Sequence, residues 1–209
     1  MRARGDSYLS SAIALATSSP FGVGDSYFHY SEEERYVDTV YLGVYPRFVF
    51  EKIGLFDENL VRNQDDEFNY RLRERGGTIF MTPKIRSHYN VRSSLGRLFK
   101  QYFQYGLWKI EVFVRRPRSI KMRHLIPSLF VLSLIIGFFL SFVSNPIRYL
   151  FLSELATYLT FSLLFALPLC AKEGMRYLPI LPLVFFTLHF AYGSGSLVGL
   201  LKRAIKREN

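Results

Sequence analysis

The chain has 209 residues, is 49% hydrophobic and 17% aromatic, and carries a formal net charge of +10. So many Phe, Tyr, Leu and Ile side chains exclude a disordered chain, and a single cysteine, Cys170, excludes an internal disulfide or a thiolate metal cluster. Charge is uneven: residues 1–124 hold 20 basic and 14 acidic side chains, residues 125–209 only 7 and 3. A polar half is followed by an apolar one, and the basic excess is expected to face membrane lipid, not nucleic acid.

Arg2 and Arg4 precede Ser10–Ala16, a stretch too short and too mildly apolar for a secretory signal. The polar half is therefore expected in the cytoplasm. Residues 7–17 read as a short helix, and Ser18-Ser19-Pro20-Phe21-Gly22-Val23-Gly24 as a loop. Val37–Leu42 has strand composition and stops at Gly43. Pro46 opens a short helix through Phe50 and Ile53 that Gly54 closes.

The helix at about 64–75 has the strongest boundary signals: Asn63 as N-cap, Asp65, Asp66 and Glu67 in the first turn, and Gly76-Gly77 as the stop. Residues 78–81 and 85–89 read as short strands around Pro83. From Ser94 to Val114 a longer amphipathic helix is expected, with Leu98, Gln101, Tyr105, Trp108 and Val112 along one face. Basic residues around that face suit an anionic membrane surface. Beyond Arg123, three apolar stretches at about 125–143, 149–170 and 178–201 approach or exceed the ~20 residues that cross a bilayer. Arg115, Arg116, Arg118, Lys121 and Arg123 mark the first flank as cytoplasmic. Three crossings would leave the basic tail at 202–209 on the opposite side, against the same rule, so topology past the first span stays open.

Within the 64–75 helix, Asp65, Phe68 and Leu72 share one face by spacing. Phe68 and Leu72 must be buried, so Asp65 is expected to point inward, placed to meet a substrate hydroxyl. Asp66, in register with Asn69, Tyr70 and Arg73, is expected to look outward. Spacing alone leaves open a simpler role for both carboxylates, complementing the helix dipole. Asp65-Asp66-Glu67 follows no hydrophobic strand and so is not an Asp-x-Asp nucleotide-sugar motif. Gly193-x-Gly195-x-x-x-Gly199 lies in an apolar stretch and reads as helix packing. His29, His124 and His189 lack metal-site spacing.

The run Gly54-Leu55-Phe56-Asp57-Glu58, Gln64-Asp65, Phe68, Arg71-Leu72 and Gly76 resembles the second half of a family-2 glycosyltransferase domain. The segments around Val37–Gly43, Val61–Glu67 and Gln101–Trp108 are similar to membrane-attached bacterial enzymes of succinoglycan and other exopolysaccharide synthesis. That resemblance implies an inverting enzyme with Asp65 as catalytic base, although Gln64 stands where the family has its first acidic residue. It implies an α/β fold, part of a GT-A domain at 1–93, then an interface helix and basic linker at 94–124 and an all-α transmembrane region of about three helices at 125–201. Gln101, Gln104, Tyr105 and Trp108 correspond to a substrate-closing segment, with Gln and Tyr replacing the family's Arg and Trp at 104 and 105. Asp38, Gln64 and Arg71 are further substrate-binding candidates, and His88 is a candidate metal ligand.

By the same resemblance, the partners are a nucleotide-sugar donor and a polysaccharide or polyprenyl-linked acceptor, and the location is the inner membrane. The family's donor-binding half, whose Asp-x-Asp holds Mn2+ or Mg2+, has no counterpart before residue 38. The chain is therefore expected to be a fragment, inactive alone. The competing expectation is a non-catalytic basic adaptor that binds anionic lipid or a synthase partner.

Overall fold

A computed structural model describes residues 1–208, with side chains through Lys206; Asn209 lies outside the described residues. The polar half contains four short helices and four three-residue strands. Helix α1 (Tyr8–Thr17) starts at Ser7, whose hydroxyl accepts from the Ser10 amide in a reciprocal capping box. The Pro/Gly run read as a loop instead forms α2 (Pro20–Val23), with Pro20 in the first turn and Ser19 capping the Gly22 amide at 3.2 Å. Helix α3 (Arg47–Ile53) ends at Gly54, whose φ of 83° is one glycine tolerates best. Helix α4 (Gln64–Glu74) matches its predicted span.

The strands are shorter than expected. β1 (Arg2–Arg4) pairs in parallel with β4 (His88–Asn90), and β2 (Arg35–Val37) pairs antiparallel with β3 (Ile79–Met81). Of the expected strand Val37–Leu42 only Val37 is in a strand; residues 38–40 are irregular and 41–42 turn, with Asp38 and Thr39 drawn into side-chain contacts with other elements. The described chain is mostly helical, and the strands of the expected α/β part form only two separate two-stranded ladders.

Helix α5 (Leu95–Arg115) is capped by Ser94 and leads through a short turn into α6 (Met122–Leu140), α7 (Asn145–Glu173) and α8 (Leu181–Glu208). By length and composition, α6, α7 and α8 are long and apolar enough to cross a membrane. They differ in packing: 50% of the apolar window of α8 is buried inside the protein, against 17% for α6 and 11% for α7.

The burial of α8 has a glycine mechanism. A Cβ on Gly195 would stand 2.1 Å from the Phe103 carbonyl oxygen, and one on Gly106 would stand 2.1 Å from that of Tyr192. Gly199 meets Leu107 and Ile110, and Gly193 meets the Pro127 carbonyl of α6. The glycine spacing is thus helix packing, as read from the sequence. Phe99 against Phe190, Phe103 against Gly195 and Ile110 against Gly199 advance together along both helices, so α5 and α8 run side by side in the same direction. Helix α5 is therefore more than a surface helix: one side is sealed against α8. The main core joins Ile13 and Ala16 of α1, Leu98 of α5, Ala166 and Cys170 of α7, and Phe185 and Leu188 of α8. A smaller core holds Val49, Ile53 and Phe68, with Tyr45 and Leu72 against it.

Candidate active site

Phe68 fixes α4. It is fully buried among the rings of Tyr45, Phe50 and Phe56, so the helix cannot rotate without emptying that core. This places Asp65, one turn earlier, at the wall of a cavity of about 1100 Å³ enclosed by α1, α2, α4, α5, α6, α7 and α8. Asp65 lines this cavity and is itself solvent-exposed. Burial pushes its carboxyl above the usual aspartate range, and the neighbouring Asp66 charge adds to the rise, opposed by backbone amides and Lys109. The Asp66 amide donates to Asp65 Oδ1 at 2.9 Å. Asp65 is therefore an open carboxylate with raised proton affinity, the property a general base needs.

Asp66 does not look outward as the spacing suggested. It pairs with Lys109 of α5, whose side chain is only 6% exposed. The amphipathic pattern of α4 is locally overruled because α5 brings a buried ammonium that requires a counter-charge. Asn69, grouped with Asp66 on the expected outer face, is fully buried: it donates to Thr39 at 2.8 Å and accepts from Tyr45 at 2.6 Å. Asn63 likewise departs from its expected capping role. It takes a left-handed φ of 62°, and its amide nitrogen donates to the Tyr105 carbonyl at 3.1 Å, tying the start of α4 to α5.

The other sequence candidates divide. Gln64, Gln101 and Tyr105 line the same cavity as Asp65. The Gln101 amide nitrogen donates to the hydroxyls of Tyr89 and Tyr105, both at 2.7 Å, and its oxygen accepts from Arg92 Nε at 3.0 Å. Gln104 and Trp108 do not join this network. They bond to each other at 3.2 Å and lie outside the cavity lining, because the helical turn carries them to another face of α5.

Arg71 is a correction: it donates to Glu67 at 2.9 Å, to the Leu55 carbonyl at 2.6 Å and to the Ile53 carbonyl, locking the end of α3 and the following turn. With its donors so engaged it serves the fold, not a substrate. Asp38 is also structural. Burial pushes its carboxyl up, but Arg123 and Lys121 outweigh that and hold it down at about 2. Arg123 also reaches Asp25 at 2.5 Å, so two carboxylates anchor the start of α6 to the polar half.

His88 is exposed beside the Arg4 guanidinium at 3.2 Å, on the strand face opposite Tyr89, and so is not brought to Asp65. Among the described residues no three His, Cys, Asp or Glu side chains stand together as a metal site. The donor set around Asp65 does not suit Mn2+ or Mg2+, since the adjacent carboxylate is committed to Lys109.

Lys109 and the apolar end of the cavity escaped sequence reasoning. The spacing of Gln101, Tyr105 and Lys109, four residues apart each time, carried the signal for Lys109. At the far end, Phe130 of α6 and Tyr158 of α7 stack with centroids 4.6 Å apart. His189 of α8 bonds to the Phe21 carbonyl at 2.7 Å and to Tyr158 at 2.8 Å. The carbonyl can only accept, so Nε2 carries the proton and Tyr158 donates to Nδ1. One cavity thus runs from a charged mouth to the apolar faces of the long helices.

This chain is similar to a succinoglycan-biosynthesis protein and to a glucuronosyltransferase. It is 30% identical over 127 residues to the succinoglycan biosynthesis protein ExoA of Rhizobium meliloti (strain 1021), covering 61% of this chain and 38% of that protein. It is 35% identical over 102 residues to the dolichyl N-acetyl-alpha-D-glucosaminyl phosphate 3-beta-D-2,3-diacetamido-2,3-dideoxy-beta-D-glucuronosyltransferase of Methanococcus voltae, covering 48% of this chain and 32% of that protein. The matches support a likeness to a glycosyltransferase family. The matched parts amount to 38% and 32% of the two relatives' lengths. No protein-family profile and no solved structure matches the chain.

Proposed function

We propose that the chain is the acceptor-side part of an inverting, membrane-bound glycosyltransferase of GT-A type, with Asp65 as its catalytic base. One observation supports this most: the carboxylate with raised proton affinity opens into a cavity that joins a charged mouth to apolar helix surfaces. An acceptor hydroxyl at the mouth would give its proton to Asp65 as its oxygen bonds to the anomeric carbon of the donor sugar. The anomeric carbon–oxygen bond breaks, and its electron pair leaves with the nucleotide diphosphate. The apolar end suits the hydrocarbon of a polyprenyl-linked acceptor. We place the donor nucleotide and its Mn2+ or Mg2+ in the part of the catalytic unit corresponding to the remaining length of the relatives.

In this reading α6 and α7 form a hairpin through the plasma membrane, while α8 lies beside α5. Tyr192, midway along α8, shares the cavity wall with Asp65 and Lys109, a polar layer that a bilayer centre would not accommodate. Lys202, Arg203 and Lys206 then return to the cytoplasmic side with Arg115–Arg123, in keeping with the positive-inside rule.

The test supplies the chain, in membranes, with the donor-binding half of the succinoglycan relative and measures labelled sugar on polyprenyl-linked sugar acceptors, whose sugar hydroxyl is the nucleophile. Metal-dependent transfer is expected, lowered about 10²–10⁴-fold by Asp65→Asn. The rate should fall with decreasing pH at values above the ordinary aspartate range, because only the ionised base accepts a proton. An Asn variant that transfers normally overturns the assignment. Salt-sensitive liposome binding without transfer would favour the adaptor reading.

A further inference from the structure

The mouth of the cavity carries charge that the base does not account for. Two lining cations are already matched: Lys109 pairs with Asp66, and Arg123 pairs with Asp25 and Asp38. Asp57 is matched as well, by Arg115. Of the lining acids this leaves Asp65 and Glu58 without an ion pair among the described residues. Two lining guanidiniums are in the same state. Arg62 makes no hydrogen bond or ion pair among the described residues, and Arg92 bonds only through Nε to Gln101.

Both guanidiniums line the same cavity as Tyr105. Both lie close enough to Tyr105 to favour ionisation of its phenol, against the burial that raises it. Arg62 comes from the turn before α4 and Arg92 from the loop before α5, so they approach Tyr105 from separate elements. Arg92 is also held. The nitrogen of Gln101 is fixed by two tyrosine hydroxyls, which aims its oxygen at Arg92 Nε and leaves the two terminal nitrogens of the guanidinium unbonded. A planar fork with free terminal donors fits phosphate oxygens in pairs. Position 104, where the resemblance would place an arginine, is a glutamine that points elsewhere.

We infer that Arg62 and Arg92 form a phosphoryl-binding pair, with Gln101 as the positioning residue for Arg92, and that the phosphoryl group is that of the lipid-linked acceptor. A nucleoside diphosphate offers the same oxygens. The acceptor is favoured because the cavity continues from this pair to the aromatic surface of Phe130 and Tyr158. An anionic head with a hydrocarbon tail occupies both ends, whereas a nucleotide has no use for the second. The inference rests on the proposed acceptor site but not on Asp65 acting as the base.

The test uses the full chain in nanodiscs and measures equilibrium binding of farnesyl phosphate, farnesol and uridine diphosphate. The wild type is expected to prefer the phosphate to the alcohol. Arg62→Gln and Arg92→Gln should each weaken farnesyl phosphate about 10- to 100-fold, the range for a lost charged hydrogen bond. Farnesol binding should not change. Gln101→Leu should reduce the same preference less, again with farnesol unchanged, a pattern that general loss of structure would not give. Asp65→Asn should bind farnesyl phosphate at least as well as the wild type, so failure of the base assignment and failure of this pair are separable. Unchanged phosphate binding in both arginine variants overturns the inference, as does an equal loss of phosphate and alcohol. A loss confined to uridine diphosphate overturns the lipid assignment and gives the pair to the nucleotide.

Discussion

Replacing Lys109 by Met removes the ammonium that balances Asp66 while keeping most of the side chain's bulk. The pair is well enclosed, with Lys109 6% and Asp66 21% exposed. Deleting one member of a buried pair costs about 3–5 kcal/mol, mostly because the remaining charge stays desolvated. Asp66 keeps some solvent, which places the expected loss near the lower end, about 3 kcal/mol. The pair holds the first turn of α4 to α5, so the loss should show as local opening. Hydrogen exchange of the α4 amides in detergent should quicken about 100-fold. The double variant Lys109→Met/Asp66→Asn has no stranded charge and should recover most of the protection, as a double-mutant cycle requires. Exchange unchanged in the single variant would refute the reasoning, and so would a double variant no better protected than the single.

Three further outcomes follow from other contacts. Asp38, with its folded pKa held down at about 2, contributes stability above the ordinary aspartate value that is lost as pH falls toward 2. The shift corresponds to about 2–3 kcal/mol, so Asp38→Asn should be less stable than wild type at pH 7 in thermal unfolding, with the gap closing between about pH 4 and 2. Gly195→Val should separate α5 from α8, since even a Cβ there would stand 2.1 Å from the Phe103 carbonyl. The cost should exceed the ~1–3 kcal/mol of ordinary overpacking and appear as proteolysis within α5. A cysteine replacing Lys202 should react with a membrane-impermeant thiol reagent from the same side as one replacing Lys100; labelling from opposite sides would mean that α8 crosses the bilayer.

The sequence by itself determined the local structure. An acidic first turn and Gly76-Gly77 bounded α4, helical periodicity located α5, hydropathy located α6, α7 and α8, and the glycine spacing in α8 announced close packing. These signals are short-range, written within one or two helical turns. The burial of Phe68 was legible too, but not which carboxylate it would turn inward: Asp65 is exposed at the cavity and Asp66 is the more buried of the two.

Only the tertiary structure decided what those elements meet. Asp66 faces Lys109 because α5 lies across α4, and the two residues are 43 positions apart. Asp38 serves as an anchor for α6 because Arg123, 85 positions away, reaches it. Gln101 and Gln104, neighbours in one motif, part company because a helix turns 100° per residue and only one face meets the cavity. An apolar run reports that a helix avoids water but not whether lipid or protein replaces it. For α8 that choice was made jointly, by glycines that let α5 and α6 approach closely and by α1 and α7 packing against Phe185 and Leu188.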